Sequence, residues 1–124
     1  MFDLSEFLAR EGASFDDRLG PQLPDEGGVY RVYSSTDRSD TLYIGEASNL
    51  RRRLHQKLWR GNTPVHALRK RLLDLGICHN EHDIHAYLQQ NCRVQYAVLE
   101  DGHARRLVEG ILITLLMPVF NKQR

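Results

Sequence analysis

Apolar side chains recur along this chain with two different periods, and the changes from one to the other outline its elements. Residues 3–12, DLSEFLAREG, place Leu4, Phe7 and Leu8 on one side of a short amphipathic helix that stops before Gly12, and Phe15 and Leu19 extend its contact with the core. The prolines and glycines of GPQLPDEGG then mark an ordered entry loop over 21–28. GVYRVY, residues 28–33, is β-branched and aromatic and predicts a strand. SSTDRSD is a polar turn, and TLYIG, residues 41–45, predicts a second strand antiparallel to the first. From Ser48 or Asn49, either of which can cap a first turn, the period becomes helical, with Leu50, Leu54 and Leu58 every four residues.

Gly61, Asn62 and Pro64 end that helix. VHALRKRLLDLG, residues 65–76, starts another, with Val65, Leu68, Leu72 and Leu75 at helical spacing and Gly76 as its C-cap. Asn80 and Asp83 stand at the two ends of a capping box before a short helix through Tyr87 and Leu88. CRVQYAVLE puts Val94, Tyr96 and Val98 on one face of a third strand. The last helix starts near Ala104, carries Leu107, Val108, Ile111, Leu112 and Leu115, and is stopped by Pro118, which leaves a short tail. Three strands and helices segregated along the chain predict an α+β fold, a compact domain with a three-stranded antiparallel sheet covered by helices on one side. Residues 1–26 read as an N-terminal helical extension and entry loop, and residues 27–124 as the domain proper.

A chain of 124 residues fits one main core. An apolar fraction of 41% and a charged fraction of 27% exclude a disordered or membrane-embedded class. Nothing approaches the ~18 consecutive apolar residues of a membrane span, and the acids inside the opening apolar pattern are unlike a signal peptide. The cytoplasm is the expected compartment, with no membrane partner and with Cys78 and Cys92 as reduced thiols. CHNEHDIHAYLQQNC does offer Cys78, His82, His85 and Cys92 as zinc-compatible ligands. Their spacing is not that of a tight finger, which favours packed thiols and surface histidines.

The net charge of +1 conceals an asymmetry: residues 1–26 hold seven acids against two arginines, whereas residues 49–73 hold eight Lys or Arg and no acid. Such a patch can hold a polyanion even on a nearly neutral protein, because phosphate contacts are local. Glu109, inside the apolar run LVEGILITLL, must reach the helix edge, pair with Arg105 one turn earlier, or bind a hard cation such as Mg2+.

Taken in order, GVY at 28–30, YIG at 43–45, NLRRRL with Arg53 ten residues after Tyr43, Glu109 on a later helix and PVFN ending in Asn121 resemble the GIY-YIG nuclease family. The matches run from residue 27 to 121. The resemblance implies a divalent-metal-dependent endonuclease that hydrolyses DNA phosphodiester bonds with Mg2+ (or Mn2+) as cofactor. Tyr43 then stands at the attacking water or takes part in its deprotonation, and Tyr30 completes the pocket. Arg53 pairs with a phosphate oxygen, Glu109 holds the cation beside the leaving group, and Asn121 orients the catalytic end. Gly45 permits a close strand-to-helix turn or, beside Tyr43, admits phosphate to the sheet surface, and Arg51, Arg52, Lys57, Arg60, Arg69 and Lys70 are expected to form the DNA-binding face.

Two positions depart from the family pattern. Where a histidine or tyrosine commonly follows the arginine by one turn, this chain has Lys57, which when protonated binds phosphate but accepts no proton. His55 points to a different side of an ideal helix, and Glu46 replaces the lysine common in the repair branch. The alternative reading is a catalytically silent DNA-binding or protein-interaction module. A partner protein and a second copy of the chain are both compatible with it, and no sequence-reading domain accompanies the basic face.

Overall fold

The computed structural model describes residues 2–62 and 65–121; Pro64, expected to punctuate two helices, and tail residues 122–124 lie outside them. The chain forms α1 (Leu4–Ala9), β1 (Ala13–Ser14), α2 (Leu19–Gln22), β2 (Gly28–Ser34), β3 (Asp37–Ala47), a π-helix (Arg52–Trp59), α3 (Ala67–Asp74), α4 (Glu81–Asn91), β4 (Cys92–Val98) and α5 (Gly102–Leu116). Mixed helices and an antiparallel sheet give the expected α+β class.

The sheet has four strands in the order β1-β4-β2-β3, not three. The added strand is two residues long, Ala13 and Ser14 opposite Val94 and Arg93, too short to carry any alternation in sequence. It also ties the first 26 residues to the rest. Phe7, Phe15, Leu19 and Leu23 are all buried and pack into the two cores formed with the later elements.

Both faces of the sheet are covered, where one was expected. β2 is the reason: flanked by β3 and β4, it is buried from Gly28 to Tyr33, with Tyr30 and Val32 on one side and Val29, Tyr33 and a buried Arg31 bonded to Thr41 and Gln95 on the other. Tyr30, Val32, Tyr43 and Val94 face a larger core with Leu50, Leu54 and Leu58. Val29, Ile44 and Ala97 face a smaller one with Phe7 of α1 and Leu112 of α5. Val98, expected to share a buried face with Val94, sits at the end of β4 and is 46% exposed.

The basic helix is a π-helix rather than an α-helix. Asn49 caps the preceding turn by accepting the Arg52 N–H at 2.9 Å, and Arg60 N–H reaches back five residues to the His55 carbonyl at 2.9 Å. The wider turn brings Trp59 inward beside Leu54 and Leu58, where it packs on Phe15. Asn80 caps α4 by accepting the Asp83 N–H, whereas the Asp83 carboxylate bonds the N–H of His79, one residue before the expected capping-box partner. After α5, Met117 takes the left-handed conformation, φ 47°, before Pro118. Val119 and Phe120 then bond the Thr41 and Leu42 carbonyls along the outer edge of β3.

Candidate active site

Antiparallel register places Tyr30 of β2 directly opposite Gly45 of β3, with Tyr43 two residues along on the same face. A Cβ at Gly45 would lie 2.4 Å from the Tyr30 hydroxyl oxygen. The bare glycine therefore makes room for a tyrosine ring, and the role expected of it, admitting phosphate, is corrected: that space is filled by the phenol. The Tyr30 and Tyr43 rings stack with centroids 6.3 Å apart. Tyr30 is fully buried and Tyr43 is 9% exposed, so Tyr43 is the nearer of the two to solvent.

Arg53 projects from the π-helix, near enough for its charge to act on both phenols, and its Nη1 donates to the Val65 carbonyl at 3.4 Å. Burial pushes both phenols above their ordinary value. Tyr43 and Glu109 add to the effect at Tyr30, and Glu109 adds to it at Tyr43, while Arg53 opposes it at each. Both tyrosines are thus neutral at physiological pH. Glu109, from α5, is near enough for its charge to act on both phenols, so the four residues matched in the sequence converge on one place.

A fifth group was not anticipated. His66, 1% exposed, donates or accepts at 2.7 Å between its Nε2 and the Tyr30 hydroxyl, while its Nδ1 accepts the Leu68 N–H at 3.0 Å as the N-cap of α3. Its ring lies 5.4 Å from the Tyr43 ring and 6.1 Å from that of Tyr30. The periodicity ran the helix back to Val65 and absorbed His66 into it. The available signal was its place just before Ala67, where a helix start needs a capping side chain.

Glu46, Ala47, Ser48, Asn49, Arg52, Arg53 and Lys57 line an open cleft of about 300 Å3 beside this cluster. Glu46 does not leave its charge unanswered there: its Oε1 accepts from Arg105 Nε of α5 at 3.0 Å, and Arg105 also caps the Leu99 and Glu100 carbonyls. The Arg105 partner expected for Glu109 is engaged by Glu46. Arg52, Lys57 and Arg60 are exposed, and Arg52 and Lys57 line the cleft. Arg51 is half-buried and pairs with Asp25 at 2.8 Å, and Lys70 is exposed and pairs with Asp74 at 2.8 Å. Arg69 corrects the expected DNA-binding face: it is 2% exposed, donates to the Leu58 carbonyl at 2.7 Å and pairs with Glu81. From the first turn of α3 it closes the π-helix's open C-terminal carbonyls, which removes it from the surface.

Asn121 bonds the backbone of Ile44 twice, accepting its N–H and donating to its carbonyl, each at 2.9 Å. It clamps the strand residue between Tyr43 and Gly45 by acting as a substitute neighbour strand. His55 packs on Gly20 of α2. Cys78 and Cys92 are buried in the larger core, His85 stacks on Trp59 with ring centroids 3.7 Å apart, and His82 is exposed, so the four zinc-compatible residues are not gathered at one site. Among the described residues no group of three or more His, Cys, Asp or Glu is gathered for a metal. A cation at Glu109 would draw the rest of its shell from water and phosphate, and Mg2+ binds in that way with one or two carboxylates. No helix among the described residues is long and apolar enough to cross a membrane.

No protein-family model matches the chain. A curated relative, UvrABC system protein C of Wolinella succinogenes, is 32% identical over 99 residues, covering 80% of this chain. The chain spans 14% of that relative's length. Two solved structures of the GIY-YIG N-terminal endonuclease domain of UvrC from Thermotoga maritima superpose with a TM-score of 0.56 each. Both are tyrosine-to-phenylalanine point mutants bound to the catalytic divalent cation. At 17% and 19% identity they cover 86% of this chain and 93% of their own. By architecture, and by the ordered placement of Tyr30, Tyr43, Arg53 and Glu109 within it, this chain has the GIY-YIG endonuclease-domain fold.

Proposed function

We propose that the chain is a divalent-metal-dependent endonuclease that hydrolyses phosphodiester bonds in DNA. The observation that carries this reading is the position of Arg53, within reach of both phenols at the wall of a basic cleft, with the charge of Glu109 acting on the same two phenols. The likeness to endonuclease domains that bind a catalytic divalent cation supports it.

Phosphodiester hydrolysis needs a placed water, stabilised charge on the phosphoryl oxygens and help for the departing sugar oxygen. Arg53 holds a non-bridging oxygen, and its planar donors suit a phosphate better than a point charge does. Tyr43, the less buried phenol, holds the attacking water. As a neutral group it orients that water by hydrogen bonding rather than by standing ready as a phenolate. Tyr30 and the Asn121 clamp fix Tyr43 from behind and from the strand edge. Lys57 and Arg52 raise the positive potential of the cleft, and the exposed Arg60 and Lys70, with Arg51, extend it along the backbone of the nucleic acid. Glu109 would hold Mg2+ or Mn2+, which when bound neutralises charge on the leaving oxygen.

Purified protein incubated with supercoiled, linear, nicked and branched DNA in Mg2+ or Mn2+ tests the reading. Metal-dependent strand breaks, abolished by a chelator, are expected. Intact DNA across all four substrates, from a folded protein that binds them, would replace the enzyme with a silent DNA-binding module.

A further inference from the structure

We propose that His66 is a positioning residue that turns Tyr30 into a hydrogen-bond donor of fixed direction. It does so as a neutral imidazole with its proton on Nε2, held in that tautomer by the backbone of α3. The inference rests on the nuclease reading of the site for its catalytic consequence, and on the geometry alone for its structural part.

The tautomer follows from the partners. Backbone N–H of Leu68 can only donate, so His66 Nδ1, 3.0 Å away, must accept and carries no proton. The ring proton is therefore on Nε2, and at 2.7 Å it points at the Tyr30 hydroxyl oxygen. Arg53, whose charge acts on the same phenol, has no acceptor and could only donate to it. A phenol oxygen has two lone pairs and one hydrogen. With the His66 N–H on one lone pair, the phenol hydrogen is directed away from the imidazole, toward Tyr43 or a bound phosphate. The close fit of the Tyr30 ring over Gly45 denies it another orientation.

His66 is unsuited to any role that needs it charged. Its ring lies against both the Tyr30 ring of β2 and the Tyr43 ring of β3, and the charges of Arg53 and Lys57 of the π-helix and Arg69 of α3 act on it. Burial, reinforced by these three cations, pushes its pKa down to about 3. The ring that touches Tyr30 thus comes from the start of α3. Lys57, one turn beyond Arg53, remains free to face the cleft.

Imidazole nitrogen NMR on the intact protein reads the structural part without any cleavage assay. The expected spectrum has His66 protonated at Nε2 and bare at Nδ1, unchanged from pH 8 to pH 5. In Tyr30→Phe the Nε2 resonance should move, since its acceptor is gone. An imidazolium at pH 6, a proton on Nδ1, or an Nε2 resonance indifferent to Tyr30→Phe would overturn the assignment whether or not the protein cuts DNA. The catalytic part is read from single-turnover cleavage of bound DNA. His66→Phe should lose roughly tenfold or more with DNA affinity retained, His66→Gln should recover part of it through its amide N–H, and Tyr30→Phe added to His66→Phe should cost little more. Full, multiplying losses from the two substitutions would show that they act separately and would overturn the positioning role.

Discussion

At the scale of single residues, the site depends on small volumes and single lone pairs. Gly45→Ala sets a methyl group 2.4 Å from the Tyr30 oxygen, on backbone that holds both in register. Overpacking of this kind costs about 1–3 kcal/mol. The variant should melt earlier and lose the His66–Tyr30 contact, both visible in a thermal melt and in the His66 ring resonances. Lys57 separates charge from proton transfer. Lys57→Arg should retain appreciable single-turnover cleavage, and Lys57→Ala should lower it while DNA stays bound. A dead Lys57→Arg that binds DNA and Mg2+ normally would mean that positive charge at the cleft wall is insufficient. Tyr30, Tyr43, Arg53 and Glu109 were legible in the sequence because each sits in a short ordered motif. His66 was not, because nothing local distinguishes a ring that will meet a tyrosine 36 residues away. Arg69 misled for the opposite reason: a basic residue in a basic run reads as surface, and only its tertiary placement under the π-helix shows it buried.

At the scale of elements, the strand carrying Tyr43 and Gly45 is an edge strand, and the tail is what finishes it. Asn121→Ala would strip the Ile44 N–H and carbonyl of their partners at once. Leaving buried backbone groups unpaired costs roughly 1–3 kcal/mol. The Ile44 amide should therefore exchange with solvent markedly faster in Asn121→Ala, with smaller changes at Val29 and Arg31 on the neighbouring strand. Unchanged exchange at Ile44 would remove Asn121 from the account of how Tyr43 is placed. Periodicity located the basic helix and its buried leucines, but the spacing of Leu50, Leu54 and Leu58 is compatible with both an α-turn and a π-turn. Trp59 inward beside Leu58 is what the wider turn accommodates. The two-residue β1 was illegible because a strand that short has no period, and the second covered face went unseen because a central strand buried on both sides, here even at Arg31, has no clean alternation to read.

At the scale of the whole molecule, burying a neutral histidine makes stability depend on pH. Unfolded, His66 takes up a proton near pH 6.5; folded, burial and the surrounding Arg53, Arg69 and Lys57 hold it neutral down to about 3. Between those values the unfolded chain binds more protons, so stability falls as pH falls, by up to about 1.4 kcal/mol per unit for one proton. Urea midpoints should drop between pH 6.5 and pH 5 in the native protein and drop less in His66→Gln. The same sheet that buries His66 brings together residues from β2, β3, the π-helix and α5, and the central claim is that this convergence makes a metal-dependent nuclease. Glu109→Gln tests it most directly, since it removes one charge and almost no volume. Single-turnover cleavage of DNA by the native protein and by this variant, across a Mg2+ titration, is the measurement. The account predicts equal DNA binding and a large loss of cleavage in Glu109→Gln, most severe at limiting Mg2+; full activity there would contradict it.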